Sequence, residues 1–208
     1  MPIPAGLAAG YRRFRAERYA AEAERYQALA KGQRPKTMII ACADSRADPA
    51  TIFSAAPGEL FVVRNVAALV PPFEEGGGYH GTSAAIEFGV SELAVPEIVV
   101  MGHGLCGGVA AALSDRPAGR FIGPWVELLA GLREQRSQSA ETLDSTAQRK
   151  VFEQMAVRYS LENLLSFPFV EAAVVAGRLR LYGAWFAIAE GELEWLDALN
   201  GTFAPIQS

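Results

Sequence analysis

The chain has 208 residues, half of them hydrophobic, and its formal net charge at pH 7 is −4. A chain of this length and apolar content can bury one substantial core, so we predict a single domain over residues 1–208. Because the net charge is negative and the basic residues are scattered, neither nucleic acids nor anionic membranes are expected as partners. No apolar stretch approaches the roughly 20 residues of a membrane span, and the N-terminus lacks a secretory pattern, so we expect a cytosolic location.

The N-terminal stretch, residues 1–30, is predicted to form a helical arm. From about residue 7 onward it is rich in Ala, Glu and Arg, with apolar residues at an imperfect helical spacing. Such a helix either lies on its own domain or packs on a second subunit, and we expect contact with a second subunit. The arm ends at residues 31–35, where a glycine and a proline break the helical pattern.

Strands and helices are predicted to alternate along the rest of the chain. Apolar runs of strand length occur at about residues 38–42, 60–64, 97–101 and 179–185. Helices are predicted near residues 48–53, 82–93, 109–113, 125–135, 147–165 and 170–176. Apolar strands separated by helices indicate an α/β fold with a mainly parallel central sheet of about four strands and helices on both faces. Residues 187–195 alternate around a Glu-Gly pair, which predicts an antiparallel edge strand or hairpin.

Both cysteines of the chain lie at the ends of predicted strands. Cys42 ends the first strand, and Cys106 follows the third strand, three residues after His103. In open α/β sheets ligands bind at the carboxyl ends of strands, and cysteines of cytosolic proteins are more often ligands or catalytic groups than disulfides. Two thiolates and an imidazole suit zinc, and a fourth position left to water would make the site catalytic. A closed structural zinc site is the alternative if His80 or Asp44 supplies a fourth ligand.

Asp44 and Arg46 follow Cys42 at alternate positions. Side chains two residues apart on an extended segment share a face, so the guanidinium can bind the carboxylate through two hydrogen bonds. An ordinary surface ion pair would contribute little to stability, whereas a pair beside a metal ligand can orient what binds to the metal. We therefore predict that this pair belongs to the active site.

Three motifs, taken together and in order, resemble the beta-class carbonic anhydrases. They are Cys42-x-Asp44-x-Arg46, residues 57–67 and His103-x-x-Cys106-Gly107-Gly108. The resemblance implies an enzyme with one zinc ion per subunit that reversibly hydrates carbon dioxide to bicarbonate and assembles as a dimer or larger homo-oligomer. By this resemblance Cys42, His103 and Cys106 match the zinc ligands. Asp44 and Arg46 match a catalytic dyad that orients a zinc-bound hydroxide for attack on carbon dioxide.

The same resemblance predicts the substrate pocket. The matching positions are Gln33, Phe61, Val66, Phe88 and Gly107. Gln33 would hydrogen-bond the substrate, the apolar side chains suit a nonpolar gas, and Gly107 permits close backbone approach. In the subgroup similar to plant enzymes the position of Phe88 often holds tyrosine, so this chain lacks one hydroxyl. Because the glutamine and aromatic positions of the family tend to face the active site of a neighbouring subunit, the resemblance implies a functional dimer.

Other interpretations of the sequence remain open. Hydrolases of carbon disulfide or carbonyl sulfide resemble this family closely and share its metal ligands. A noncatalytic zinc protein or a bicarbonate sensor is a further alternative, although a missing dyad residue would be expected there. Family members can also rest in a closed form in which the aspartate matching Asp44 binds the metal, and Gln33 favours the open form. His80 could shuttle protons near neutral pH, but a histidine among glycines is more often an ordinary loop residue.

Overall fold

The computed structural model describes residues 3–76, 78–114, 119–139 and 145–206. The strands are β1 (Thr37–Cys42), β2 (Leu60–Asn65), β3 (Glu97–His103), β4 (Arg180–Ala187), β5 (Glu192–Leu196) and β6 (Phe203–Pro205). In this part of the chain they form one six-stranded sheet in the order β2-β1-β3-β4-β5-β6. Strands next to each other in this sheet are therefore often distant in sequence.

Helices occupy most of the chain between the strands. They are α1 (Ala5–Phe14), α2 (Ala23–Leu29), α3 (Pro49–Ile52), α4 (Gly81–Glu87), α5 (Gly107–Ala112), α6 (Ile122–Val126), α7 (Ala130–Ser139), α8 (Ser145–Leu165) and α9 (Pro168–Val175). Asp48 begins α3 by accepting a hydrogen bond from the Thr51 amide, and Pro49 occupies the first turn, as capping preferences predict. Among the described helices, none has both the length and the apolar character needed to cross a bilayer.

The sheet is parallel on one side and antiparallel on the other. Strands β2, β1, β3 and β4 pair in parallel, whereas β5 pairs antiparallel with β4 and with β6. Parallel neighbours need long crossover connections, which the helices supply. Gly191, at φ +69°, turns the chain between β4 and β5. The predicted α/β fold, with its parallel centre and antiparallel edge, is confirmed, and β6 extends that edge beyond the predicted hairpin.

Alternate residues of β1 pack into two different apolar clusters. Met38 and Ile40 lie in the cluster formed with helices α8 and α9. Ile39 and Ala41 lie in the cluster on the other face, against which Phe53 packs at the end of α3. All four strand residues are at most 1% exposed. Burial on both faces explains why this strand has a continuous apolar sequence rather than an alternating one.

The N-terminal arm is helical, as predicted. It consists of α1, a π-helical turn (Arg15–Tyr19) and α2. The start of the arm exposes Ile3, Leu7 and Tyr11, which are 71%, 70% and 62% exposed. Leu7 and Tyr11 lie four residues apart on the same face of α1, so they form one uncovered apolar stripe, and Ile3 is exposed just before the helix. Contact of this stripe with a second subunit stays a prediction.

Candidate metal centre and active site

Three side chains that are distant in sequence meet at the carboxyl edge of the parallel sheet. Cys42 ends β1, His103 ends β3, and Cys106 immediately precedes α5. Because β1 and β3 are adjacent and parallel, their ends reach the same edge. The ligand atoms of the three residues all lie within 4.8 Å of one another, and each residue is at most 5% exposed. The cluster can therefore bind a single ion from three sides.

The geometry of the donors fits zinc. The sulfur atoms of Cys42 and Cys106 are 3.9 Å apart, and two thiolates at tetrahedral positions about 2.3 Å from zinc would be about 3.8 Å apart. His103 Nδ1 lies 2.8 Å from the carbonyl of Gly104, so Nδ1 carries the ring proton and donates. His103 Nε2 is buried and has no hydrogen-bond partner among the described residues. A buried imidazole nitrogen with a free lone pair is what a metal ligand requires.

Neither candidate for a fourth ligand completes the site. His80 precedes α4 and lines a cavity of about 460 Å³ together with Tyr79 and Val66, but it is not part of the donor cluster. Asp44 Oδ2 lies 3.9 Å from His103 Nε2, but both of its oxygens are hydrogen-bonded to Arg46. Within the described residues, the cluster of metal donors consists of two cysteines and one histidine. The residues that the structure describes therefore supply three donors and leave the fourth position open.

The contact between the two thiols shifts their pKa values in opposite directions. The hydrogen bond from Cys106 lowers the pKa of the Cys42 thiol, even though burial raises it. The same contact with Cys42, together with burial, raises the pKa of Cys106. Burial lowers the pKa of His103, but contacts with Cys42, Gly104 and Asp44 outweigh burial, so its net direction is upward. A cation between these donors would replace the remaining thiol proton, since thiolates rather than thiols bind metals.

Arg46 holds Asp44 through three hydrogen bonds. Its Nε and backbone amide both donate to Oδ1 at 2.9 Å, and Nη2 donates to Oδ2 at 2.7 Å. Hydrogen bonding from Arg46 keeps the pKa of Asp44 well below its usual range. The guanidinium also donates to the carbonyl of Leu105 at 3.2 Å. The pair is thus connected to the turn that carries two of the metal donors, and its carboxylate stays ionised.

Two charged groups beside the site were missed by the sequence analysis. Arg64, in β2, donates to the carbonyls of Cys42 at 2.9 Å and Asp44 at 2.6 Å. Glu153, in α8, accepts a hydrogen bond from the Cys106 amide at 3.0 Å. The parallel pairing of β1 with β2 could have placed Arg64 near Cys42, but no pattern in the sequence connects Glu153 with Cys106. Both groups hold the backbone of the site rather than the metal position itself.

Val66 and the glycines after Cys106 lie beside the donor set. A Cβ atom built on Gly108 would lie 2.6 Å from Cγ1 of Val66, whereas a Cβ on Gly107 would have nothing within 4 Å. Gly108 is therefore the position that permits close packing, and Gly107 faces open space. Val66 is 38% exposed, so it can form an apolar wall of an open pocket. The roles of Val66 and Gly107 in a substrate pocket stay predictions.

The other three pocket residues lie away from the donors of their own chain. The rings of Phe61 and Phe88 pack with centroids 5.9 Å apart. Phe61 pairs with Met38, four residues before the pair formed by Cys42, which corresponds to about 13 Å along the strand. Gln33 is exposed in the connector before β1 and makes no side-chain hydrogen bond to the part of the chain that the structure describes. One chain therefore does not assemble the whole predicted pocket.

The fold and the donor set define a class of protein, namely α/β proteins with a buried Cys-His-Cys donor set at the carboxyl edge of a parallel sheet. The sequence model of the family described as "Carbonic anhydrase" matches residues 37–193. Beta carbonic anhydrase 5, chloroplastic, of Arabidopsis thaliana is 38% identical over 184 residues, covering 87% of this chain and 60% of that protein. Beta carbonic anhydrase 3 of the same plant is 35% identical over 193 residues, covering 90% and 74%. The chain belongs to the beta-class carbonic anhydrase family.

Solved structures agree with this assignment. The beta-carbonic anhydrase CcaA superposes with a TM-score of 0.88 at 28% identity, covering 97% of this chain and 91% of that one. A beta-carbonic anhydrase of the ascomycete Sordaria macrospora, described as tetrameric, superposes with a TM-score of 0.84 at 29% identity, covering 95% and 96%. The chain thus spans nearly the whole length of these structures, although it spans only 60% of the chloroplastic plant relative.

Proposed function

We propose that the protein is a zinc-dependent carbonic anhydrase that interconverts carbon dioxide and bicarbonate. The observation that carries this proposal is the donor set: two buried sulfur atoms 3.9 Å apart and a buried histidine nitrogen without a partner in the described residues. Membership of the beta-class family and the neighbouring Asp44–Arg46 pair support the same activity. Cys42, His103 and Cys106 would each provide one ligand to a single zinc ion per subunit.

The residues around the donors have separable roles in this proposal. When bound, zinc supplies a Lewis acid that generates a nucleophile from water near neutral pH. Asp44 is ionised and can therefore only accept a hydrogen bond from the attacking oxygen, which turns that oxygen's lone pair toward carbon dioxide. Arg46 holds both carboxylate oxygens, so this orientation is set before substrate arrives. Val66 forms an apolar wall that suits a nonpolar substrate, and Gly107 leaves space beside it.

The complete pocket is proposed to need a second subunit. Gln33, Phe61 and Phe88 do not lie beside the donors of their own chain, and Phe88 is 46% exposed. In a homo-oligomer they would complete the pocket of a neighbouring subunit, with Gln33 donating its amide to a substrate oxygen. The exposed stripe of the N-terminal arm and the tetrameric description of the Sordaria macrospora relative support such an assembly. The cytosolic location stays a prediction, since one plant relative is named as chloroplastic.

The substitution Asp44→Asn tests the proposal. Asn has nearly the same shape but presents an N–H₂ group on one side, so it cannot accept all the hydrogen bonds from Arg46 and from the attacking oxygen. We expect carbon dioxide hydration, measured by stopped flow, to fall on the order of 10²-fold or more, while the zinc content stays at one per chain. The matched control is Glu97→Gln, which removes another carboxylate paired with arginine, at 2.7 Å from Arg180 and at the opposite end of β3. This control should retain wild-type activity.

The alternatives predict different outcomes of the same assay. A wild type that contains zinc but does not hydrate carbon dioxide would contradict the proposed activity. Hydrolysis of carbonyl sulfide or carbon disulfide by such a preparation would favour a sulfur substrate, and no turnover with any of the three would favour a zinc or bicarbonate sensor. An Asp44→Asn protein with full activity would contradict the role of the dyad while leaving the metal site intact.

A further inference from the structure

The backbone of Cys106 is held on both sides by an ion pair from helix α8. Glu153 Oε1 accepts a hydrogen bond from the Cys106 amide at 3.0 Å, and Arg149 Nη2 donates to the Cys106 carbonyl at 2.8 Å. Arg149 Nε also donates to Glu153 Oε1 at 3.2 Å, which closes a ring of three contacts. Trp185, in β4, donates to the second carboxylate oxygen at 3.3 Å. We call Arg149 and Glu153 the α8 clamp.

The turn that the clamp holds is strained. Leu105 lies between the two metal donors of this turn and adopts φ +57°, in the left-handed region. For a residue with a branched side chain this conformation costs on the order of 1 kcal/mol or more. Two other hydrogen bonds also hold the turn. The amide of Gly104 donates to the carbonyl of Phe186 at 2.9 Å, and Arg46 donates to the carbonyl of Leu105. The clamp adds hydrogen bonds to both backbone groups of Cys106, whose carbonyl also accepts a hydrogen bond from the Ala110 amide of α5.

Burial of the Glu153 carboxylate costs free energy, because its charge is removed from water. Its side chain is 2% exposed, and that of Arg149 is 30% exposed. An apolar side chain of similar size at such a position is often as stable as a buried ion pair, so packing alone does not explain a carboxylate there. The two hydrogen bonds to the Cys106 backbone are contacts that an apolar pair could not make. Because the carboxylate and guanidinium charges offset each other, the clamp can hold the backbone without adding net charge beside the thiolates.

We propose that Glu153 and Arg149 act together as positioning residues that hold residues 103–106 in the shape required for metal binding. The inference rests on the zinc site proposed above. In the metal-loaded protein the clamp keeps the Cys106 sulfur at its place relative to Cys42 and His103. Without it the turn relaxes toward an unstrained conformation, and one of the three ligands moves out of position.

The substitution Glu153→Gln tests the clamp. A glutamine that accepts from the Cys106 amide turns its own N–H₂ group toward the indole N–H of Trp185, and a glutamine turned the other way loses the Cys106 contact. Groups that orient metal ligands typically contribute 10–100-fold to metal affinity, so we expect the zinc dissociation constant to rise by about that factor. It is measured by competition with a chromophoric chelator. Arg149→Met, at a partly exposed position, should raise the zinc dissociation constant by the same factor. This variant provides the test if Glu153→Gln does not fold.

Two measurements separate positioning from general stability. The matched control is Glu194→Gln. Glu194, in β5, is 6% exposed and pairs with Lys150 of α8 at 2.6 Å, and in the described part of the chain it has no hydrogen bond or ion pair to either residue of the clamp. This control should lose stability without a change in zinc affinity. In the folded Co²⁺-substituted proteins, the clamp variants should change the thiolate-to-cobalt absorption bands, whereas the control should match the wild type.

The outcomes also separate this inference from the proposed function. A wild type that does not bind zinc, or a Cys106→Ala variant that binds zinc as tightly as the wild type, would contradict the proposed metal site. If the wild type binds zinc and both clamp variants retain its zinc affinity and its cobalt spectrum, the metal site stands and the clamp is refuted. A 10–100-fold loss in both clamp variants and none in Glu194→Gln would establish the clamp.

Discussion

Gly108 should tolerate no side chain, whereas the adjacent Gly107 should tolerate alanine. A Cβ on Gly108 would lie 2.6 Å from Val66 Cγ1, 2.9 Å from Ala67 Cβ and 3.2 Å from the Ala67 nitrogen. Two of these atoms belong to Ala67, which cannot move away as a flexible side chain could. Ala67 itself adopts φ +66°, and the preceding Asn65 fixes this segment by bonding both backbone groups of Leu69. A shift that made room would therefore disturb the segment next to Cys42.

The free-energy difference between the two alanine variants isolates this clash. Both substitutions lie in the first turn of α5, so each gains the same helix-propensity term of up to about 1 kcal/mol. Insertion of a methyl group into a packed site costs about 1–3 kcal/mol. We therefore expect Gly108→Ala to be less stable than Gly107→Ala by about 1–3 kcal/mol. For a domain of this size each kcal/mol corresponds to about 2–4 °C in Tm.

The assay is urea unfolding of both variants and the wild type, all zinc-free and at one protein concentration. Removal of zinc excludes an effect of metal affinity on apparent stability, and a fixed concentration excludes an effect of subunit association. Gly107→Ala should be as stable as the wild type or slightly more stable. Equal stabilities of the two alanine variants would refute the close approach of Gly108 to the segment formed by Val66 and Ala67.

Three further predictions follow from the structure. Saturation of the apo-protein with zinc at about 1,000 times its dissociation constant should raise the free energy of unfolding by about 4 kcal/mol, seen as a higher Tm, and Cys42→Ser should abolish this rise. The hydrogen bonds from Thr51 lower the pKa of Asp48, so its stabilising contribution is present above an unfolded pKa of about 4 and is lost as the pH falls through the lower native value. Urea unfolding of the zinc-free protein should therefore show a steeper loss of stability below about pH 4 in the wild type than in Asp48→Asn, and parallel curves would contradict this. Leu7→Asp, on the exposed stripe of the arm, should reduce association in sedimentation velocity, whereas an unchanged distribution would exclude the arm from the interface.

The sequence predicted the parallel sheet and the donor set because both follow from local patterns. The run that ends at Cys42 is apolar at every position, as a strand buried on both faces requires, and the structure places it inside the sheet, between β2 and β3. Cys106 could be placed beside Cys42 because the carboxyl ends of parallel strands meet at one edge. The spacing of Asp44 and Arg46 likewise predicted a pair that the structure shows at 2.7 Å.

Features that depend on packing between residues distant in sequence could not be predicted from the sequence. Glu153 lies within a helix whose sequence does not indicate contact with a metal turn, and its burial follows only from the way α8 crosses β3 and β4. Phe61 and Phe88 do not lie beside the metal donors of their own chain, because Phe61 lies four residues before the end of the β1–β2 pairing. The resemblance anticipated this through a second subunit. Residue patterns alone do not encode which positions face a neighbouring copy.

Titration of the zinc-free protein with zinc, followed by stopped-flow carbon dioxide hydration, tests the central claim most directly. If Cys42, His103 and Cys106 bind one catalytic ion, the hydration rate should rise in proportion to bound zinc and level off at one ion per chain. A protein with one tightly bound zinc per chain that hydrates carbon dioxide no faster than buffer alone would contradict the account.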